Sequence, residues 1–72
     1  MRKSTIITIP ENFKEHEGAI NCYQFYIPTF YHGYLLFIST SDVEKLGLKA
    51  GMRIKAVFTT TTRFFSQIEV IS

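Results

Sequence analysis

The sequence predicts a mainly β domain with one short helix, and three observations predict it. Segments rich in β-branched and aromatic residues recur along the chain, separated by Pro, Gly or polar turns. A single stretch, residues 41–47, carries both a helix start signal and a helix stop signal. The apolar fraction is 46% and the aromatic fraction 15%, which indicates a packed core rather than disorder. A length of 72 residues predicts one domain spanning residues 1–72.

The first half of the chain contains two predicted strands. Residues 4–9 are β-branched and end at Pro10, which cannot donate to a strand ladder. Residues 11–18 are charged around a single apolar residue, Phe13, and predict a long loop or a turn or two of helix. Residues 19–27 form the second strand, with aromatic side chains on both faces.

A third strand and the helix follow a turn-rich connection at residues 28–33. Residues 34–39 are a continuous apolar run, typical of a central strand covered on both sides, which places Phe37 in the core. The helix is predicted at residues 41–46. Ser41 caps it, Glu44 completes a capping box, and Gly47 ends it in the left-handed conformation.

The last two strands close the chain. Residues 52–58 alternate between apolar and other side chains, so Arg53 and Lys55 project together from one face. Residues 59–62, four threonines, suit an extended strand or a hairpin tip. In the strand at 63–71, unbroken alternation points Phe64 into the core and Phe65 outward.

The order strand, strand, strand, helix, strand, strand resembles that of the OB-fold, a small five-stranded Greek-key barrel. Residues 48–55 (Leu-Lys-Ala-Gly-Met-Arg-Ile-Lys) are also similar to the way many OB domains leave their helix. The resemblance implies a five-stranded barrel and a protein that binds oligonucleotides.

A second resemblance lies in residues 42–54, which are similar to the helix-to-strand core of AbrB-like swapped-hairpin transcription factors. The chain departs from that pattern at residues 39–41, where the family usually has Ile-Pro. Met52 also replaces the usual acidic residue after the glycine. This alternative implies an obligate dimer that prefers duplex DNA.

No constellation for catalysis or metal binding emerges from the sequence. His16, Cys22 and His32 are the candidate ligands, and no pair has the Cys-x-x-Cys or His-x-x-x-His spacing of a metal site. The glycines are isolated, so no phosphate-binding loop is predicted. The sequence therefore predicts a non-enzymatic protein without a metal or cofactor.

Charge and cysteine usage bound the partners and the compartment. The formal net charge of +2 permits a polyanionic partner without requiring one. The single cysteine excludes an internal disulfide and favours the cytoplasm. Neither a signal peptide nor a membrane span is predicted, because every apolar run is short.

Aromatic residues interleaved with cations carry the functional hypothesis. The chain has seven Phe and four Tyr, more rings than one small barrel can bury. Exposed rings beside cations suit binding of single-stranded nucleic acid, because bases stack on rings and cations pair with phosphates. DNA is favoured over RNA as the ligand. The candidate residues are Tyr23, Phe25, Tyr26, Tyr31 and Phe65 for stacking, and Arg53, Lys55 and Arg63 for phosphates.

An alternative assigns the same aromatic residues to a protein interface. Exposed rings beside a sheet edge form a docking surface for another chain. A homodimer or higher oligomer is expected in either case, since a subunit interface would cover the excess rings. The alternative predicts no salt-sensitive binding to nucleic acid.

Overall fold

The computed structural model describes residues 2–18 and 21–71 and contains one mixed six-stranded sheet and one α-helix. Its elements are β1 (Arg2–Thr8), β2 (Lys14–Glu15), β3 (Cys22–Phe25), a 3₁₀ turn (Tyr31–Gly33), β4 (Leu36–Ser39), α1 (Thr40–Leu46), β5 (Arg53–Thr59) and β6 (Phe64–Val70). The prediction of a mainly β fold is confirmed. In the described part of the chain, no helix is both long and apolar enough to cross a membrane.

The strand order is β1-β5-β6-β4-β3-β2, and neighbours are antiparallel except for the parallel pair β4 and β6. The predicted closed barrel is wrong, because β1 and β2 are the two edges of an open sheet. The physical reason lies at β3. Its edge away from β4 is occupied by β2, so a closing pair with β1 does not form there.

Strand β2 lies within the segment predicted to be a loop or a helical turn. Lys14 pairs with Gln24, and the His16 amide continues the ladder by donating to the Cys22 carbonyl at 2.9 Å. Phe13 anchors this edge, since its ring stacks on Tyr23 with 5.0 Å between centroids. Charged side chains suit an edge strand. Residues 19 and 20 of the predicted second strand lie outside the described residues.

Helix α1 confirms the predicted helix but begins one residue earlier. Its N-cap is Ser39, without a side-chain cap hydrogen bond, so the capping box at Ser41 is wrong. Strand β4 runs directly into the helix, which leaves no separate capping residue at position 41. The predicted ending is confirmed: Gly47 has φ 64°, and the Leu48 amide donates to the Val43 carbonyl at 3.0 Å.

The core lies on one face of the sheet, called here the inner face. One row of it crosses four strands, joining Tyr23, Ile38, Phe65 and Phe58 through their cross-strand pairings. The buried apolar residues are Ile7, Ile9, Phe25, Leu36, Ile38, Val43, Leu48, Ile54, Ala56, Phe58 and Phe65. The opposite face is called the outer face.

Candidate nucleic-acid interface

Two predicted stacking residues, Phe25 and Phe65, lie in the core. Each is only 1% exposed, and their rings pack with 5.7 Å between centroids. The prediction that Phe65 points outward is wrong. The alternation of β6 is interrupted at Gln67, whose φ is 50°, and the β5–β6 register shifts nearby. This β-bulge places Phe65 and Ile68, three residues apart, against the same core.

Because Phe65 points inward, its neighbour Phe64 occupies the outer face. Phe64 pairs with Phe37 across β4 and β6, and both rings are half-buried, with 5.6 Å between centroids. Both residues were predicted to be core. Phe37 belongs to a central strand, but the core covers only the inner face of that strand, and Phe37 lies on the outer face. The Phe64–Phe65 pair signals that one ring faces outward, and the bulge decides which one.

Arg63 places a cation beside this pair of rings. It lies in the turn before β6, with φ 59°, rather than opening the strand as predicted. Its guanidinium carbon lies 5.8 Å from the ring centroid of Tyr34 and 6.0 Å from that of Phe37. The Phe37 amide donates to the Arg63 carbonyl at 2.9 Å, and this bond holds the backbone of Arg63 next to that of Phe37. Such contacts are within cation–π range.

Tyr34, which lies beside Arg63, also contacts Tyr31 in the 3₁₀ turn. It is 53% exposed, and its centroid lies 5.7 Å from that of Tyr31, one of the predicted stacking residues. The Tyr31 hydroxyl donates to the Thr60 carbonyl at 3.3 Å, and its ring packs against Phe58. Tyr31 is therefore exposed but held in place. We call the paired rings of Phe37 and Phe64 the aromatic platform.

On the other side of Phe37, two polar side chains form a hydrogen-bonded pair. The Nδ1 atom of His16 lies 2.6 Å from Oε1 of Gln24, and the His16 ring meets Phe37 edge-on at 5.8 Å. Gln24 is the direct cross-strand partner of Phe37. The platform thus has a cation at one side and a polar pair at the other.

Tyr26, another predicted stacking residue, lies just beyond β3 and is 44% exposed. Asn12 holds its backbone from both sides, donating from Nδ2 to the Tyr26 carbonyl at 3.0 Å and accepting from the Tyr26 amide at 2.9 Å. An open concavity of about 360 Å³ lies here, lined in part by Lys14, Gln24, Tyr26 and Leu35. This concavity adjoins the polar side of the platform.

The remaining predicted residues are separated from the platform. Arg53 and Lys55 are exposed on β5, as the alternation predicts, and Lys55 lies opposite Glu69. Lys55 is four residues from Thr59, the β5 partner of Phe64, which is roughly 13 Å along a strand. Tyr23 is half-buried in the inner row. The structure therefore brings Arg63 and Tyr31 together around Tyr34 but leaves Arg53 and Lys55 at the far end.

Cys22 is buried, and burial raises the pKa of its thiol. It lines a second open concavity, of about 370 Å³, together with His16. His32, the other candidate ligand, packs instead against Tyr31 and Tyr34. Among residues 2–18 and 21–71, no group of three His, Cys, Asp or Glu side chains is arranged to hold a metal ion.

Comparisons with protein families, curated proteins and solved structures found no match to this chain. The outer face of the sheet presents paired aromatic rings, a guanidinium beside them and a polar side-chain pair. Rings of this kind can stack on planar groups, and the guanidinium can pair with an anion.

Proposed function

We propose that this protein binds single-stranded nucleic acid on the outer face of its sheet, with DNA as the first ligand to test. The observation that carries the proposal is the half-buried Phe37–Phe64 pair, which lies on adjacent strands with Arg63 beside it. Aromatic side chains on an open sheet face are a recurring way of stacking unpaired bases.

The rings supply affinity without requiring a particular sequence. Phe37 and Phe64 are partly accessible, so a base can cover one or both, and the exposed Tyr34 ring lies beside Arg63. Each stacked base contributes roughly 1–3 kcal/mol by alanine substitution. Tyr31 supports Tyr34 through the contact between their rings.

The cations set the path of the phosphates. Arg63 is next to the platform, and Lys14 lies on the outer face two strands away, as the cross-strand partner of Gln24. Lys55 and Arg53 extend the positive charge along β5, toward the other end of the sheet. The net charge of +2 is small, so binding depends on these placed cations rather than on a general positive field.

The proposed role is binding rather than catalysis. The single thiol, Cys22, is buried with a raised pKa, which is unfavourable for a thiolate nucleophile. His16 is engaged by Gln24 and packed on Phe37, so it supports the platform.

Fluorescence anisotropy with a labelled ~15-nucleotide single strand and the matching duplex tests the proposal. We expect preference for the single strand, loss of affinity with salt, and weaker binding by Phe64→Ala and Phe37→Ala. Glu44→Gln, on the exposed side of α1, is the control and leaves affinity unchanged. Preference for the duplex would favour an AbrB-like mode, and binding to neither would refute the proposal.

We propose, as a second candidate function, self-association through the edge of β1. In the described part of the chain β1 pairs only with β5, and Ile6 on its outer face is 52% exposed. A β-branched edge strand is a template for pairing with a second chain. Light scattering after size exclusion tests this: wild type is expected to be dimeric and Ile6→Lys monomeric. A wild-type monomer at micromolar concentration would refute it.

A further inference from the structure

We infer that Gln24 selects the base stacked on Phe37 and that His16 determines which base Gln24 selects. The expected selection favours bases with carbonyl acceptors, such as thymine, over adenine. This inference rests on the proposed function, because it concerns the identity of the base held at the same platform.

Gln24 is positioned to read a base edge. It lies directly opposite Phe37 in the β3–β4 ladder, so both side chains belong to the outer face. Directly opposed side chains have Cβ atoms ~5 Å apart. A base lying on the Phe37 ring therefore presents its edge to the Gln24 amide. Gln24 also lines the open concavity at this end of the sheet, which leaves room for the base.

His16 occupies the acceptor of that amide. Nδ1 of His16 lies 2.6 Å from Oε1 of Gln24. Because an amide oxygen can only accept a hydrogen bond, we assign the proton of this pair to Nδ1 of His16. The Nε2 group, which carries two N–H donors, is then what Gln24 offers to a ligand. Glutamine ordinarily recognises adenine with both groups, accepting from N6–H and donating to N7. With Oε1 engaged, this paired recognition of adenine is weakened, while donation to a thymine carbonyl is retained.

The position of the His16 ring is defined by three neighbours. Its backbone amide donates to the Cys22 carbonyl at 2.9 Å, and its ring meets Phe37 edge-on. On the third side lies Gly18, where an added Cβ would lie 2.8 Å from Nε2 of His16. Glycine at position 18 thus leaves the space that the imidazole needs. Gly18→Ala should shift the ring and weaken its bond to Gln24.

The test compares affinities for ~15-nucleotide oligo-dT and oligo-dA in wild type, Gln24→Ala and His16→Ala. The readout is the change in the dT-to-dA affinity ratio between proteins, because self-stacking of oligo-dA affects every protein equally. One hydrogen bond corresponds to a change of about 2- to 10-fold. We expect Gln24→Ala to lower the ratio by losing dT affinity, and His16→Ala to lower it by gaining dA affinity.

Two further variants sharpen the result. Gly18→Ala is expected to shift the ratio in the same direction as His16→Ala, by a smaller factor. Gln24→Glu replaces donors with acceptors, and it should lower the ratio further while weakening binding to both strands. Thermal unfolding monitored by circular dichroism verifies that each variant is folded, and Glu44→Gln is the control with an unchanged ratio.

The possible failures are distinguishable. If wild type binds neither strand, the proposed function is refuted and this inference falls with it. If binding occurs and depends on Phe64 but the ratio is the same in wild type, Gln24→Ala and His16→Ala, the inference is refuted while the proposed function stands.

Discussion

Substituting the adjacent residues Phe64 and Phe65 distinguishes the proposed binding surface from the core. Phe65 is 1% exposed, with ring centroids of Phe58 and Phe25 at 4.9 and 5.7 Å, so Phe65→Ala empties a packed site. Such truncations cost ~3–5 kcal/mol. A domain of 72 residues is stabilised by ~4–11 kcal/mol, taking ~0.05–0.15 kcal/mol per residue. Phe65→Ala therefore removes a large share of the free energy of unfolding.

Phe64→Ala should have the opposite profile. The ring is half-buried and packs against Phe37 with 5.6 Å between centroids, so we expect a loss of ~1–2 kcal/mol in stability. Binding to a single strand should weaken by ~1–3 kcal/mol, the contribution of one stacked base.

Urea unfolding followed by circular dichroism measures the stability, and anisotropy measures the binding. Phe65→Leu serves in the binding assay, because it keeps an apolar side chain in the core and remains folded. We expect it to bind like wild type. The reasoning is refuted if Phe65→Leu loses affinity as strongly as Phe64→Ala, or if Phe64→Ala is the more destabilised of the two alanine variants.

Four further outcomes are expected. Gly47→Ala should lower the free energy of unfolding by ~1 kcal/mol in urea titrations, since φ at this helix end is 64°. Asn12→Ala removes both hydrogen bonds to the Tyr26 backbone and should cost ~1 kcal/mol, measured by thermal unfolding. Arg63→Gln should reduce the slope of log affinity against log salt by ~0.7, the contribution of one phosphate on a single strand. Burial raises the pKa of Cys22, so the unfolded thiol ionises first and stability should fall as pH rises above ~8.5; urea melts of Cys22→Ala should lack this component.

Local sequence signals predicted the elements whose ladders are regular. The alternation in β5 places Ile54, Ala56 and Phe58 in the core and Arg53 and Lys55 in solvent. It is unbroken because the β1–β5 ladder has no register shift and the extra residue of the β5–β6 bulge lies on β6. The helix ending at Gly47 was also predictable, because its geometry depends only on residues that are close in sequence.

Structural features that depend on pairing between segments far apart in the sequence were not predictable. The inward position of Phe65 follows from the bulge at Gln67, and a bulge depends on how β6 fits against β5. The open sheet follows from β2 covering the edge of β3, although the Lys14–Glu15 dipeptide has no strand pattern. Phe37 and Phe64 were therefore assigned to the core from the sequence.

Among the candidate aromatic residues, exposure depends on whether the residue lies in a loop or in a strand. Tyr26 and Tyr31 follow strand ends or lie in turns, where a ring cannot be buried completely, and both are exposed. Phe25 is the last residue of β3, and its face is determined by pairing with Leu36. The sequence left open which of these rings is exposed, because both faces of the predicted second strand carry aromatic residues.

The most direct test of the binding face is a titration of ¹⁵N-labelled protein with a ~15-nucleotide oligo-dT, followed by amide chemical shifts. We expect the largest changes at Gln24, Phe37, Arg63 and Phe64 on the outer face, with small changes along the edge of β1. Shifts concentrated at β1, or no shifts at saturating oligonucleotide, would contradict the assignment of the outer face as a surface for single-stranded nucleic acid.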